Sequence, residues 1–191
     1  PIMSELRQFK LGGKTGKNSK DQFAFNDLQM DVNTLQGAAS KIEERLHKVY
    51  EVRQEKRSFW AAIPSLWPVQ GFVTSGFGYR GATRVGGTRF HEGIDIASPL
   101  GTPVHASGDG IVTYAGYRGG FGKMVVIDHG FGLSTVYGHN AELYVQEGQR
   151  IRRGTVLASI GMTGRTSGPH LHYEVLVDGV PVDPMRYLAR R

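Results

Sequence analysis

The sequence has no cysteine. That excludes a disulfide framework and any thiolate metal site, so a bound ion would have to rest on His, Asp or Glu. It leaves the redox compartment unread, because a cysteine-free chain suits either side of a membrane. No run of about 18 apolar residues occurs, so no helical membrane span is written in the chain. No signal-peptide pattern is visible. The chain opens at Pro1 and not at a methionine, so we expect a piece of a longer protein whose export signal or membrane anchor lies upstream. Glycine is scarce at one end: Gly12, Gly13, Gly16 and Gly37 are the only four in the first 60 residues, and the other 23 of the 27 lie beyond.

What is there is ordinary for a globular protein: 191 residues, 39% hydrophobic and 21% charged. This is enough for one good-sized domain with an extension, or two small ones. The net charge is +6. Residues 1–60 hold 11 basic and 8 acidic side chains and the rest 12 and 9, so each part carries +3 and charge marks no boundary. A basic surface draws polyanions, and cell-wall polymers and lipid surfaces suit it as well as nucleic acid does. No nucleic-acid motif accompanies the charge, and the aromatics are not interleaved with a basic stripe, so no nucleic-acid partner is expected.

Residues 1–20 are polar, basic and Gly-containing and read as a flexible segment. Residues 21–60 read as a helix. Leu28, Val32, Leu35, Ala39, Ile42, Leu46 and Val49 are spaced 4, 3, 4, 3, 4, 3, a coiled-coil-like seam of about three heptads. Such a seam calls for a cover, and we expect a second copy in a homodimer, another partner helix or the following domain. Pro64 and Pro68 end the helix in a Pro/Trp linker over 61–68. From 69 to 191 short β-prone runs alternate with glycine turns, among them 110–114, 123–128, 133–137, 156–160 and 171–177. The fold expected is mainly β: a Gly-rich, antiparallel, barrel-like sheet domain preceded by a long coiled-coil-like α-helix.

Six of the seven histidines fall in this β region: His91, His105, His129, His139, His170 and His172. Two arrangements stand out. His170-Leu171-His172 lies in a β-prone run, so both imidazoles face one way and Leu171 faces the core. His91 and Asp95 are four residues apart, a spacing that shares a face in a helix or a strand, though Gly93, Ile94 and Ile96 argue against a helix. Two imidazoles and one carboxylate would leave a fourth position open, the stoichiometry of a catalytic zinc site. Glu92 does not complete a zincin motif, because the fourth residue after His91 is Asp95. His139 and His170, the latter beside the ligand His172, are left for proton transfer. His105 and His129 are expected to be structural.

The stretch from Val73 to Leu188, which carries these motifs, resembles the lysostaphin-like, or LytM-like, zinc metallopeptidases that act on bacterial peptidoglycan. The matching runs are SGFGYR at 75–80, FHEGIDIASPLGTPVHASGDGIVTYAG at 90–116, VVIDHGFGLSTVYGHN at 125–140 and GRTSGPHLHYEV at 164–175. The resemblance implies Zn2+ on His91, Asp95 and His172, with His139 and His170 as the catalytic histidines. It implies a zinc endopeptidase that hydrolyses peptidoglycan peptides, stem-peptide cross-links foremost, in the periplasm or otherwise outside the cytoplasmic membrane. Two alternatives come with it. Degenerate members activate cell-wall amidases through a coiled coil, but they lose site residues, and all five are present here. A latent enzyme held in check by its own helix is the other. Asn140 departs from the pattern, standing where an apolar residue commonly follows the catalytic His, and is expected to alter the groove wall and not the chemistry.

Overall fold

In the computed structural model, residues 19–80 and 89–189 are described. The expected basic segment therefore lies outside the described residues up to residue 18, and Ser19 already opens the helix. Helix α1 runs Ser19–Ala62 without interruption. The chain divides into two compact units between Arg53 and Gln54.

In the first unit nothing but helix is described. Its seam residues Leu28, Val32, Leu35, Ile42, Leu46 and Val49 are all exposed, from 40% for Val32 to 69% for Leu35. Local pairs support the helix: Lys48 meets Glu44 at 2.7 Å and His47 meets Glu51 at 3.2 Å, each one turn apart. Such exposed pairs are worth only about 0.3–0.5 kcal/mol each.

The second unit is a sheet domain. Its strands are β1 (Phe72–Ser75), β2 (Gly78–Arg80), β3 (Arg89–His91), β4 (Ile94–Ala97), β5 (Pro103–His105) and β6 (Gly110–Arg118). They continue as β7 (Gly122–Gly130), β8 (Leu133–Leu143), β9 (Arg150–Ile151), β10 (Val156–Ile160), β11 (His170–Val177) and β12 (Val180–Val182). The main path is β1-β4-β11-β8-β7-β6-β9, every pairing antiparallel. β12 adds to β11, β5 joins through β10 to β8, and β2–β3 form a separate ribbon. The mainly β, antiparallel expectation holds. Its barrel-like element does not: the path ends at β1 and β9 without closing, so the domain is an open sheet.

β11 is the strand that positions the site. Leu171, Tyr173 and Val175 are fully buried in the core beside Ile94, Ile96 and Ile127. By strand alternation, His170, His172 and Glu174 face the other way. On one side of β11 the register sets His172 opposite Asp95 of β4, and on the other opposite Gly138 of β8. The ribbon sets Gly78 opposite His91.

The last turns of α1 are fixed within this unit. The Arg153 guanidinium donates to the carbonyls of Trp60 at 2.6 Å, Ala61 at 3.1 Å and Ile63 at 3.0 Å. These are acceptors that a helix C-terminus leaves without intrahelical partners. Asp109 ties in the same corner, accepting from Arg153 N at 2.8 Å while its own N–H donates to Ala61 O at 2.8 Å.

Two glycines separate packing from propensity. A Cβ at Gly93 would lie 2.3 Å from Tyr173 O, against backbone that cannot yield. Gly93→Ala should therefore lower stability by about 2 kcal/mol or more in urea unfolding. Gly37, inside α1, has nothing within 4 Å of a built Cβ. Gly37→Ala should raise helix stability by about 1 kcal/mol, read as a later melt at 222 nm.

Candidate metal centre

His91 ends β3 and Asp95 lies in β4, with Glu92 and Gly93 making the bend between them. The sequence spacing thus bridges two strands rather than one face of a single element. With His172 these residues converge: His91 Nε2 is 3.2 Å from Asp95 Oδ1, His172 Nδ1 is 2.9 Å from the same oxygen, and the two nitrogens are 3.2 Å apart.

The outer nitrogens decide what the inner ones carry. His91 Nδ1–H donates to Gly76 O at 2.7 Å. His172 Nε2–H donates to Glu174 Oε1 at 2.8 Å. Each imidazole, when neutral, then turns a lone pair inward, toward a carboxylate oxygen that is also an acceptor. Three lone pairs at this spacing repel unless a cation lies among them. For a tetrahedral ion with bonds of about 2.0–2.1 Å, neighbouring ligand atoms are about 3.3 Å apart. The observed triangle of 2.9–3.2 Å fits that ion, and two imidazoles with one carboxylate are a donor set suited to zinc.

Without a metal, a proton fills the role. Burial alone would push His172 down, but the hydrogen bonds and charges of Asp95 and Glu174 outweigh it and raise its pKa to about 9. Burial would raise Asp95, yet the hydrogen bond from His172 and the neighbouring imidazoles bring it to about 2.

A cleft of about 560 Å³ opens over this group, and His139 and His170 share it. Their rings are 4.7 Å apart, centroid to centroid. His139 Nδ1–H donates to Thr163 O at 2.8 Å, and His170 Nδ1–H donates to Gly168 O at 2.9 Å. Both therefore turn Nε2 away from these anchors; that of His170 is 3.8 Å from Asp95 Oδ1. Burial is the main cause holding the His139 pKa below the ordinary value, with His170 and His172 adding to it. His139 also sits at φ 64°, in the left-handed region a non-glycine residue seldom adopts.

All five residues singled out in the sequence meet at this one cleft. His129 does not line it: its nitrogens are taken by Asp109 O at 2.6 Å and Thr135 Oγ1 at 2.8 Å. His105 lies on β5, also outside the lining. Asn140 corrects the expectation placed on it. Its side chain is fully buried and forms no groove wall; Nδ2 donates to Lys123 O at 2.9 Å and Tyr137 O at 2.7 Å. It braces the backbone beside the strained His139. Glu174 was missed, although His172-x-Glu174 on a strand is a legible signal. The carbonyls of Gly76, Thr163 and Gly168 carry no side-chain signature to read.

The family model for peptidase family M23 matches residues 89–184, which contain all five. The chain belongs to this peptidase family. The lysostaphin-like motifs are thereby accounted for. A DD-carboxypeptidase/endopeptidase, Mpg, of Neisseria meningitidis is 46% identical over 113 residues, 59% of this chain and 26% of that protein. The murein hydrolase activator NlpD of Salmonella dublin is 38% identical over 126 residues, 65% of this chain and 31% of that protein. A crystallised zinc-containing peptidase from Vibrio cholerae superposes with a TM-score of 0.61 at 40% identity, covering 63% of this chain and 39% of that one. The chain thus spans about a quarter to two fifths of these relatives.

The two shifts have opposite pH signs. The raised His172 contributes stability that is complete below the unfolded value of 6.5 and is lost as pH rises through about 9. The lowered Asp95 contributes stability that is complete above 3.8 and is lost as pH falls through about 2. In chelator, urea midpoints should therefore fall from pH 6.5 to 9, and Asp95→Asn should flatten that slope. An unchanged slope in the variant would show that the pair does not set it.

Proposed function

We propose that this chain is the catalytic part of a zinc endopeptidase that hydrolyses peptide bonds in bacterial peptidoglycan. The observation that carries the reading is the inward triangle of His91 Nε2, Asp95 Oδ1 and His172 Nδ1, with two further imidazoles beside it in one cleft. In this reading His91, Asp95 and His172 hold Zn2+, and His139 and His170 are catalytic. Bound zinc would lower the pKa of water toward about 7 and polarise the scissile carbonyl.

The protein's own groups do the rest. His139, anchored through Nδ1 to Thr163 and biased toward its neutral form by burial, presents Nε2 to accept a proton from the attacking water. His170, anchored to Gly168 through Nδ1–H, turns its Nε2 side to the reacting group and steadies the developing oxyanion as the imidazolium. Water supplies the hydroxyl to the acyl carbon, the C–N bond breaks, and the amine departs with the proton that His139 took from the water. Glu174 fixes the His172 tautomer and orientation. Stem-peptide cross-links are the favoured substrate, in line with the endopeptidase name of the Neisseria relative. Such a substrate places the protein in the cell envelope, outside the cytoplasmic membrane.

A second reading is favoured by the similarity to a murein hydrolase activator. There the exposed α1 seam would engage a partner or second copy, and the cleft would be vestigial. The convergence of all five residues supports the enzyme.

His172→Ala should lose zinc and peptidoglycan hydrolysis together, by elemental analysis and mass spectrometry of released peptides. His139→Ala should keep zinc while turnover falls about 10²- to 10⁴-fold. Unchanged turnover in that variant would remove His139 from the chemistry. Glu174→Gln should weaken zinc affinity about 10- to 100-fold. Zinc-bound chain that releases no peptide would move the assignment to the activator.

A further inference from the structure

The cleft holds one permanent cation that the chemistry above does not use. Arg165 lines it, with its side chain exposed and no ion pair to it among the described residues. An arginine left without a carboxylate in a cleft that contains Glu92, Asp95 and Glu174 is not there to balance its neighbours. Its backbone, by contrast, is firmly held. Arg165 N–H donates to Gly120 O at 2.8 Å. The preceding Gly164, at φ 79°, is pressed so closely on the 120–122 turn that a Cβ would lie 2.4 Å from Gly122 N.

The residues around Arg165 place it next to both cleft histidines outside the triangle. Thr163, two residues before, anchors His139 through its carbonyl. Thr166, one residue after, has Oγ1 3.1 Å from His170 Nδ1. The turn that holds these imidazoles in place therefore also presents the guanidinium. In peptide hydrolysis the leaving nitrogen takes a proton from such an imidazole, so the residue that supplies this nitrogen lies along the same wall. A guanidinium pairs best with a planar anion, and a carboxylate accepts from it in bidentate fashion.

We infer that Arg165 is a specificity residue that binds a free α-carboxylate on the leaving-side residue of the substrate. The inference rests on the peptidase reading and narrows it. It selects amides whose nitrogen is borne by a carbon that also carries a carboxylate. A cross-link to the amino-acid centre of a diamino acid has this feature, and so does a peptide ending in a free D-amino acid. An oligoglycine bridge presents a neutral amide at that point and is disfavoured.

The test uses the full chain, with and without zinc, and two peptides. One is an acyl-D-Ala–D-amino acid with a free terminal carboxylate, and the other is its carboxamide. Hydrogen bonds to charged groups are worth enough to expect about a 10- to 100-fold preference for the free acid in kcat/KM. Arg165→Gln should erase most of that preference by slowing the free acid far more than the carboxamide, and Arg165→Lys should restore part of it. Equal losses on both peptides, or an undiminished preference in Arg165→Gln, would overturn the inference. Calorimetric binding of the same peptides separates it from the reading beneath it. Tighter binding of the free acid, lost in Arg165→Gln but without hydrolysis by the zinc-loaded chain, would keep the carboxylate site and discard the peptidase. Equal affinity of both peptides for the unaltered chain would discard the site.

Discussion

Three acceptor atoms held about 3 Å apart cannot coexist without a positive charge among them, and the domain is organised around that demand. The demand arises because Gly76 and Glu174 take the outer protons of His91 and His172 and leave the inner positions bare. The sheet supplies the rest. β11 runs between β4 and β8, so its register brings a carboxylate from one neighbour and the approach to His139 from the other. His91, Asp95, His139, His170 and His172 thus all lie on paired strands, so strand pairing places them before any side-chain contact is made.

Much of this was legible in the sequence where physics leaves a period. The alternation at 170–175 gave a strand with one core face and one functional face, and that is the strand found. The later strands β6, β7, β8, β10 and β11 were readable because each is long or apolar enough to stand out. β1 to β5 have only three or four residues each and are interrupted by Gly and Pro, so no periodicity could develop. The His91–Asp95 spacing points to two residues on one face, whereas the structure brings them together across a bend between strands. That bend depends on Gly93 fitting against Tyr173 O, a contact 80 residues away in sequence. Asn140 looked like groove wall because of its neighbour. It turned inward, where its amide nitrogen donates to the carbonyls of Lys123 and Tyr137 beside a residue at positive φ.

The helix shows the opposite case. Its pattern was plain, and the structure bears out the helix from Ser19 to Ala62 while every seam residue stays exposed. Periodicity states which face is apolar; it does not state what covers it. The end of α1 carried no such signal. Arg153 lies some 90 residues downstream of the carbonyls it serves, and nothing in local sequence marks it for that duty.

The central place of β11 has a consequence for durability. Ladders on both flanks and buried residues from Leu171 through Val175 put this strand among the parts slowest to open. Fraying of a peripheral strand such as β9 leaves its pairings untouched. His172, one corner of the candidate metal site, is therefore fastened to one of the most persistent parts of the described chain. On the zinc reading, a molecule stripped of its ion would keep the mould for the next one, and could be emptied and refilled without having to fold again.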